Sequence, residues 1–123
     1  MAEHTLRICV MTIDEMKAYT LASARNLDAG IAPTVSLRAF ATQELLWKKL
    51  TPKRLEILDE MVGAGPMSIR ELARRMRRDV KAVHGDVHVL LGDKLLTKTV
   101  AGEIVLPFDA VRLELDMKAK VAA

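Results

Sequence analysis

The chain has 123 residues, half of them hydrophobic, and a net charge of only +3 at a sequence pI of about 9.2. This length suits one domain, or one small domain with an extension, and the hydrophobic fraction excludes an intrinsically disordered chain. Cys9 is the only cysteine, which excludes an intrachain disulfide and a zinc site made of cysteine pairs. The apolar run 8–11 is too short for a signal peptide or a membrane span, so we expect a cytoplasmic protein with no membrane partner.

The first part of the chain predicts a strand followed by a helix. Apolar residues alternate over 5–11, which is typical of a strand. Thr12 and Glu15 then form a T-x-x-E capping box, in which each side chain satisfies a backbone N–H at the start of a helix. A second short strand is predicted over 35–40, and Thr42 can cap a second helix.

The middle of the chain predicts three short helices and a β-hairpin. Thr51 followed by Pro52 marks a helix start, because proline lacks an N–H that would be unsatisfied there anyway. Ser68 and Asp79 can cap the next two helices, and 95–106 reads as a hairpin turning at an Ala-Gly pair. Three helices followed by a hairpin are typical of a winged helix-turn-helix, in which the hairpin is the wing.

The last part of the chain predicts another strand, because apolar and charged residues alternate over 111–117. It would share a sheet with the N-terminal strand, either within one subunit or across a dimer. The predicted fold is therefore α+β. It has a strand-helix extension at 1–50 for dimerisation or partner contact, a winged helix-turn-helix DNA-binding domain at 51–108, and a C-terminal strand and tail at 109–123.

A basic cluster lies between the second and third predicted helices. Residues 70–81 carry six basic side chains against only Glu71 and Asp79. In a helix-turn-helix the start of the third helix points into the major groove while the second helix crosses the backbone, so the cluster predicts a DNA-binding surface. The alternative is a solvated helix face, the usual role of a charge run. The six are Arg70, Arg74, Arg75, Arg77, Arg78 and Lys81.

The outer face of the third helix and the wing would complete this surface. His84 and His88 stand four residues apart, a spacing that can also hold a metal ion. With no further ligand nearby in sequence we expect no metal or other cofactor, and we expect His88 to face solvent. No catalytic motif appears, so no enzymatic activity is expected. Besides the six basic residues, the predicted DNA contacts are Ser68, Ala82, His84, Gly85, Lys94 and Lys98.

The stretch LTPKRLEILDEMVGAGPMSIRELARRMRRDVKAVHGDVHVLLGDKLL resembles small prokaryotic winged-helix regulators that are MarR-like in their DNA-binding half. The resemblance covers roughly 50–117, including the closing PFDAVRLELDM. It implies a dimeric transcriptional regulator, and such proteins are often the antitoxin partner of a small toxin. The third helix departs from the family pattern, because it has Ala82 and Gly85 where many relatives carry Asn and Arg. This removes a bidentate adenine reader and a guanine or phosphate contact.

Together these features predict a double-stranded DNA-binding regulator, in particular an autoregulating repressor that acts as a homodimer. A role as the antitoxin of a toxin-antitoxin pair is an open addition to this prediction. The basic cluster would neutralise phosphates, while Lys81 and His84 would reach the groove. The alternative is a protein-protein interaction module that uses a winged-helix scaffold without specific DNA readout.

Overall fold

The computed structural model describes residues 4–119, which form an α+β fold with five helices and two small sheets. None of these helices is long and apolar enough to cross a membrane. The helices are α1 (Ile13–Asp28), α2 (Gln43–Lys49), α3 (Pro52–Met61), α4 (Ile69–Met76) and α5 (Val80–Gly92). The strands are β1 (Thr5–Val10), β2 (Val35–Phe40), β3 (Thr97–Lys98), β4 (Ile104–Val105) and β5 (Ala110–Leu113).

Every predicted helix start is confirmed, and the cause is local side-chain chemistry. At each start a side-chain oxygen accepts a hydrogen bond from a backbone N–H in the first turn, which has no partner inside the helix. At Thr12 the bond is reciprocal, because Glu15 accepts from the Thr12 N–H. The capping residues are Thr12, Thr42, Thr51, Ser68 and Asp79.

The larger sheet has the strand order β2-β1-β5, with both pairs parallel. The two terminal segments therefore share a sheet within one subunit, which resolves the alternative left open by the sequence. β5 ends at Leu113, earlier than predicted, although the Glu114 N–H still donates to the Ile8 carbonyl of β1. Leu115 still packs on the core, whereas Met117 is exposed.

One continuous core joins this sheet to the helices that follow it. Leu6 and Ile8 of β1 are fully buried, whereas α1, the crossover between β1 and β2, has no buried residue. Helices α3, α4 and α5 contact one another in pairs. Their buried side chains are Ile57, Leu58, Met61, Leu72, Ala73, Val83, Val87 and Leu90.

The predicted hairpin is confirmed, with β3 antiparallel to β4. Gly102 lies in its turn with a φ of 86°, a left-handed conformation that favours glycine. A second contact ties the hairpin to the helices: Met67, just before α4, exchanges two backbone hydrogen bonds with Ile104 of β4. The hairpin is therefore anchored beside the start of α4.

Candidate nucleic-acid interface

A very short turn joins α4 to α5. Arg77 ends α4 in a left-handed conformation with a φ of 54°, and its N–H donates to the Arg74 carbonyl. The Arg78 N–H donates to the Ala73 carbonyl, and Asp79 already caps α5 by accepting from the Ala82 N–H. Because the turn has so few free torsions, the first turn of α5 is held in a fixed position beside the end of α4.

Three exposed basic side chains are carried by this unit without a carboxylate partner. Arg70 lies in the first turn of α4, Arg77 in the turn and Lys81 in the first turn of α5. Within residues 4–119 none of the three forms an ion pair or a side-chain hydrogen bond. Their positive charge is therefore available to an anionic partner.

Arg74 and Arg75 are arranged differently, because both bind Glu71 on the same helix. Arg74 makes a bidentate contact through Nε and Nη2, and the Arg75 Nε lies 2.9 Å from Glu71 Oε1. The spacings of three and four residues place the side chains on one helix face. These hydrogen bonds lower the pKa of Glu71 to about 2 and raise that of Arg74. One of the two arginine charges is thus neutralised, although the Arg74 side chain is 72% exposed.

We expect Glu71 to remain almost fully ionised at about pH 3.5. Its pKa is lowered in the folded chain, so the pairing with Arg74 and Arg75 is present above the pKa of an unpaired glutamate and is lost only as the pH falls through about 2. The chemical shift of the Glu71 carboxyl carbon would report this. In the variant Arg74→Gln/Arg75→Gln the carboxyl should be mostly protonated at the same pH, and similar ionisation in both proteins would contradict the pairing.

Arg78 is held inside the fold by Asp86 of α5. Its Nη2 lies 2.9 Å from Asp86 Oδ2, while the Arg54 Nε of α3 lies 3.0 Å from Oδ1. The three side chains are only 16–19% exposed. Arg54 also donates to the carbonyls of Lys48 and Lys49 at the end of α2. These three residues, here called the Asp86 clamp, therefore connect α2, α3, the turn and α5.

The clamp changes the interpretation of one residue of the predicted DNA-binding site. It also contains two residues that the sequence analysis did not single out. Arg78 was expected to face phosphate, but its guanidinium is mostly buried and paired. Arg54 and Asp86 were not predicted as functional residues. One signal was present for Asp86, because on the helical wheel it lies next to Leu90, at the edge of the buried stripe formed with Val83 and Val87. A carboxylate at that edge requires a cationic partner.

The outer face of α5 carries little side-chain bulk at its centre. Ala82 and Gly85 are exposed, and a methyl group added at Gly85 would meet no atom within 4 Å apart from its chain neighbours and the adjacent backbone of α5. Lys81 lies at one end of this face. His84 lies beside Gly85, one turn after Lys81, and contacts His88 one turn further along, with their Nε2 atoms 3.1 Å apart. The face therefore combines two small residues with three polar ones.

The remaining predicted contacts have simple local roles. The Ser68 hydroxyl caps α4 by accepting from the Glu71 N–H. Lys94 follows α5 in a left-handed conformation, and Lys98 lies on β3; both side chains are exposed. Within residues 4–119 no group of three His, Cys, Asp or Glu side chains could hold a metal ion, so His84 and His88 stand as a pair.

The family comparison covers this unit. The model of the HVO_A0114 family matches residues 49–113, just over half of the chain, from the end of α2 to the end of β5. Comparisons with the curated proteins and with the solved structures find no match. The matched segment contains the Asp86 clamp, the basic turn and the hairpin, and leaves β1, α1 and β2 outside. The chain belongs to the HVO_A0114 family.

Proposed function

We propose that the chain is a double-stranded DNA-binding transcriptional regulator of the winged helix-turn-helix, MarR-like kind, acting as a homodimeric, autoregulating repressor. One observation carries the proposal. The α4–turn–α5 unit holds Arg70, Arg77 and Lys81 exposed and unpaired, and Arg74 adds a largely exposed guanidinium. Exposed cations without carboxylate partners suit a polyanion better than they suit solvation alone.

The order of elements supports the winged-helix part of this proposal. A helix is followed by a single bridging residue at Met67, two further helices joined by a short turn, and an antiparallel strand pair. In a winged helix-turn-helix these would be the first helix, the first wing strand, the two helices of the DNA-binding unit and the wing. In this scheme α5 is the recognition helix.

The side chains support a division between residues that bind the DNA phosphates and residues that contact the base edges. Arg70, Arg74 and Arg77 would bind phosphates from α4 and the turn. Lys81 and His84 would enter the major groove from the start of α5, where the Lys81 ammonium would also reach a phosphate. Lys94, which follows α5, and Lys98, on strand β3 of the wing, would contact the DNA backbone. Ala82 and Gly85 carry no hydrogen-bonding side chain, so phosphate contacts supply most of the affinity and sequence preference is modest.

The proposal is tested by fluorescence anisotropy on the chain's own upstream DNA and on a scrambled duplex, between about 50 and 300 mM salt. Tighter binding to the upstream fragment and a steep loss of affinity with salt are expected. Binding that does not change with salt would contradict the proposal. Equal, weak binding to both duplexes would remove the repressor function.

A second candidate function is the docking of a protein partner, such as a small toxin. It is supported by where large hydrophobic side chains are exposed: seven of the ten found in residues 4–119 lie between Ile13 and Trp47, outside the α3–α5 unit. Equal, weak DNA binding combined with a stable complex with a co-transcribed protein would favour this function. An antitoxin would combine both roles.

A further inference from the structure

The outer edge of β2 has unpaired backbone groups. The Thr5 N–H donates to the Thr34 carbonyl, and the Met11 N–H donates to the Phe40 carbonyl, so the even-numbered residues direct their backbone groups towards β1. Because these groups alternate along a strand, those of Val35, Leu37 and Ala39 point away from β1. β2 is the last strand on this side. Within residues 4–119, one hydrogen bond to these groups is formed, from Arg38 Nη1 to the Leu37 carbonyl.

The opposite edge of the sheet is shorter than the β2 edge and carries a more exposed charge. β5 has only four residues, and Arg112, whose side chain is 69% exposed, lies in the middle of it. Short length and exposed charge are the usual means of preventing a strand edge from pairing with another chain. β2 has six residues, contains no proline, and has Arg38 as its one charged residue.

An apolar groove lies along the same edge. It encloses about 520 Å³ between α1 and β2, and its lining includes Leu27, Ile31, Val35 and Leu37. Leu27 is 61% exposed and Ile31 is 56% exposed. A strand added beside β2 would cover these side chains and pair the free backbone groups at the same time. This would also explain why α1, a helix of 16 residues, buries no residue within one subunit.

We infer that this edge binds the β2 edge of a second copy of the chain, antiparallel, to form a six-stranded sheet. The inference rests on the proposed homodimer and assigns its interface. A two-fold axis at Leu37 places Leu37 opposite itself and Val35 opposite Ala39 of the second copy. All three outward-facing residues of each strand then pair, with six N–H···O bonds in total. The Leu37 carbonyl exchanges its bond to Arg38 for one to the second copy.

Charge and symmetry favour this occupant and this register. With the axis at Leu37, Arg38 lies opposite Ser36 of the second copy and not opposite a like charge. Moving the axis one residue towards the C-terminus would place Arg38 opposite Arg38, which is destabilising. Moving it one residue the other way leaves Ala39 unpaired. An edge that is complementary to itself about one central residue is what a two-fold dimer requires.

The test is the mass of the full chain in solution without DNA, measured by sedimentation velocity at about 1 to 100 μM. We expect twice the chain mass of 13.6 kDa. Val35→Lys should raise the dimer dissociation constant by at least about tenfold, because it places a charge in the strand pair. Val35→Thr, which is also β-branched, is the control and should remain dimeric. Val35 is 38% exposed in one subunit, so Val35→Lys should still fold and unfold cooperatively. Its thermal unfolding midpoint should not depend on protein concentration, whereas the midpoints of the dimeric wild type and Val35→Thr should rise with concentration.

A cysteine pair tests the register. In Val35→Cys/Ala39→Cys the two positions lie about 13 Å apart within one strand, too far for an intrachain disulfide. Across the two-fold axis they face each other and should link two copies under oxidising conditions. Each single variant should stay unlinked, since Cys9 is buried. Links formed equally well by a single variant would overturn the register.

Two outcomes would overturn the inference: a wild-type chain that is monomeric at about 100 μM, or a Val35→Lys variant that dimerises as well as wild type. If the wild-type chain is monomeric but binds a co-transcribed protein, and if Val35→Lys abolishes that binding, the β2 edge would be assigned to that protein instead. DNA binding is measured separately. A dimer that Val35→Lys dissociates, but that binds no duplex, would leave the interface standing and remove the proposed function.

Discussion

Replacing Asp86 with alanine is expected to lower the free energy of unfolding by about 3 kcal/mol. The carboxylate is the shared partner of Arg54 and Arg78, whose side chains are less than a fifth exposed. Without it, two guanidinium groups would remain in a poorly hydrated position with like charges close together. Urea unfolding followed by circular dichroism would measure the loss. The slope of the free energy of unfolding against urea concentration should stay the same, because the surface exposed on unfolding hardly changes.

Asp59→Ala is the matched control for this substitution. It removes the same charge from an exposed position on α3 and should change the free energy of unfolding by no more than about 0.5 kcal/mol. Asp86→Asn should fall between the two, because one amide oxygen can still accept a hydrogen bond from an arginine. A loss of under about 1 kcal/mol for Asp86→Ala would show that the clamp contributes little to stability.

The local features of the fold were predictable because each depends on neighbouring residues. The five capping side chains marked the helix starts, and the Ala-Gly turn marked the hairpin. What the sequence left open was long-range pairing. Whether β1 and β5 meet within a subunit depends on contacts across more than 100 residues, such as the bond from the Asp109 N–H to the His4 carbonyl. No local pattern encodes such a contact.

The candidate site was predictable in position but less so in electrostatics. Counting six basic residues against two acidic ones treated every charge as free. In the fold Glu71 forms ion pairs with Arg74 and Arg75. Asp86 forms ion pairs with Arg78 and with Arg54. The first pairing follows from helical spacing and was available from the sequence. The second joins Arg54 and Asp86 across 32 residues and required the packing of α3 on α5.

The unpaired cations should therefore dominate the salt dependence of DNA binding. We expect Arg70→Gln/Lys81→Gln to flatten the slope of log K against log salt by about 2, because each phosphate contact contributes about 0.9. At about 0.1 M salt this corresponds to a loss of roughly 50-fold in affinity. The loss should be similar on the upstream and the scrambled duplex if both residues act on phosphates. Fluorescence anisotropy over about 50 to 300 mM salt measures both quantities.

A control double variant, in which two positive charges are removed away from the α4–α5 surface, distinguishes a local effect of that surface from a general effect of net charge. Lys17→Gln/Arg25→Gln also removes one lysine and one arginine, from exposed positions on α1. Long-range attraction alone is screened beyond about 10 Å at 0.1 M salt, so this control should keep the wild-type slope. If both double variants lost affinity equally, the α4–α5 surface would have no special role. If only Arg70→Gln/Lys81→Gln lost it, phosphate would have to lie against that surface, because counterion release requires direct neutralisation of phosphate.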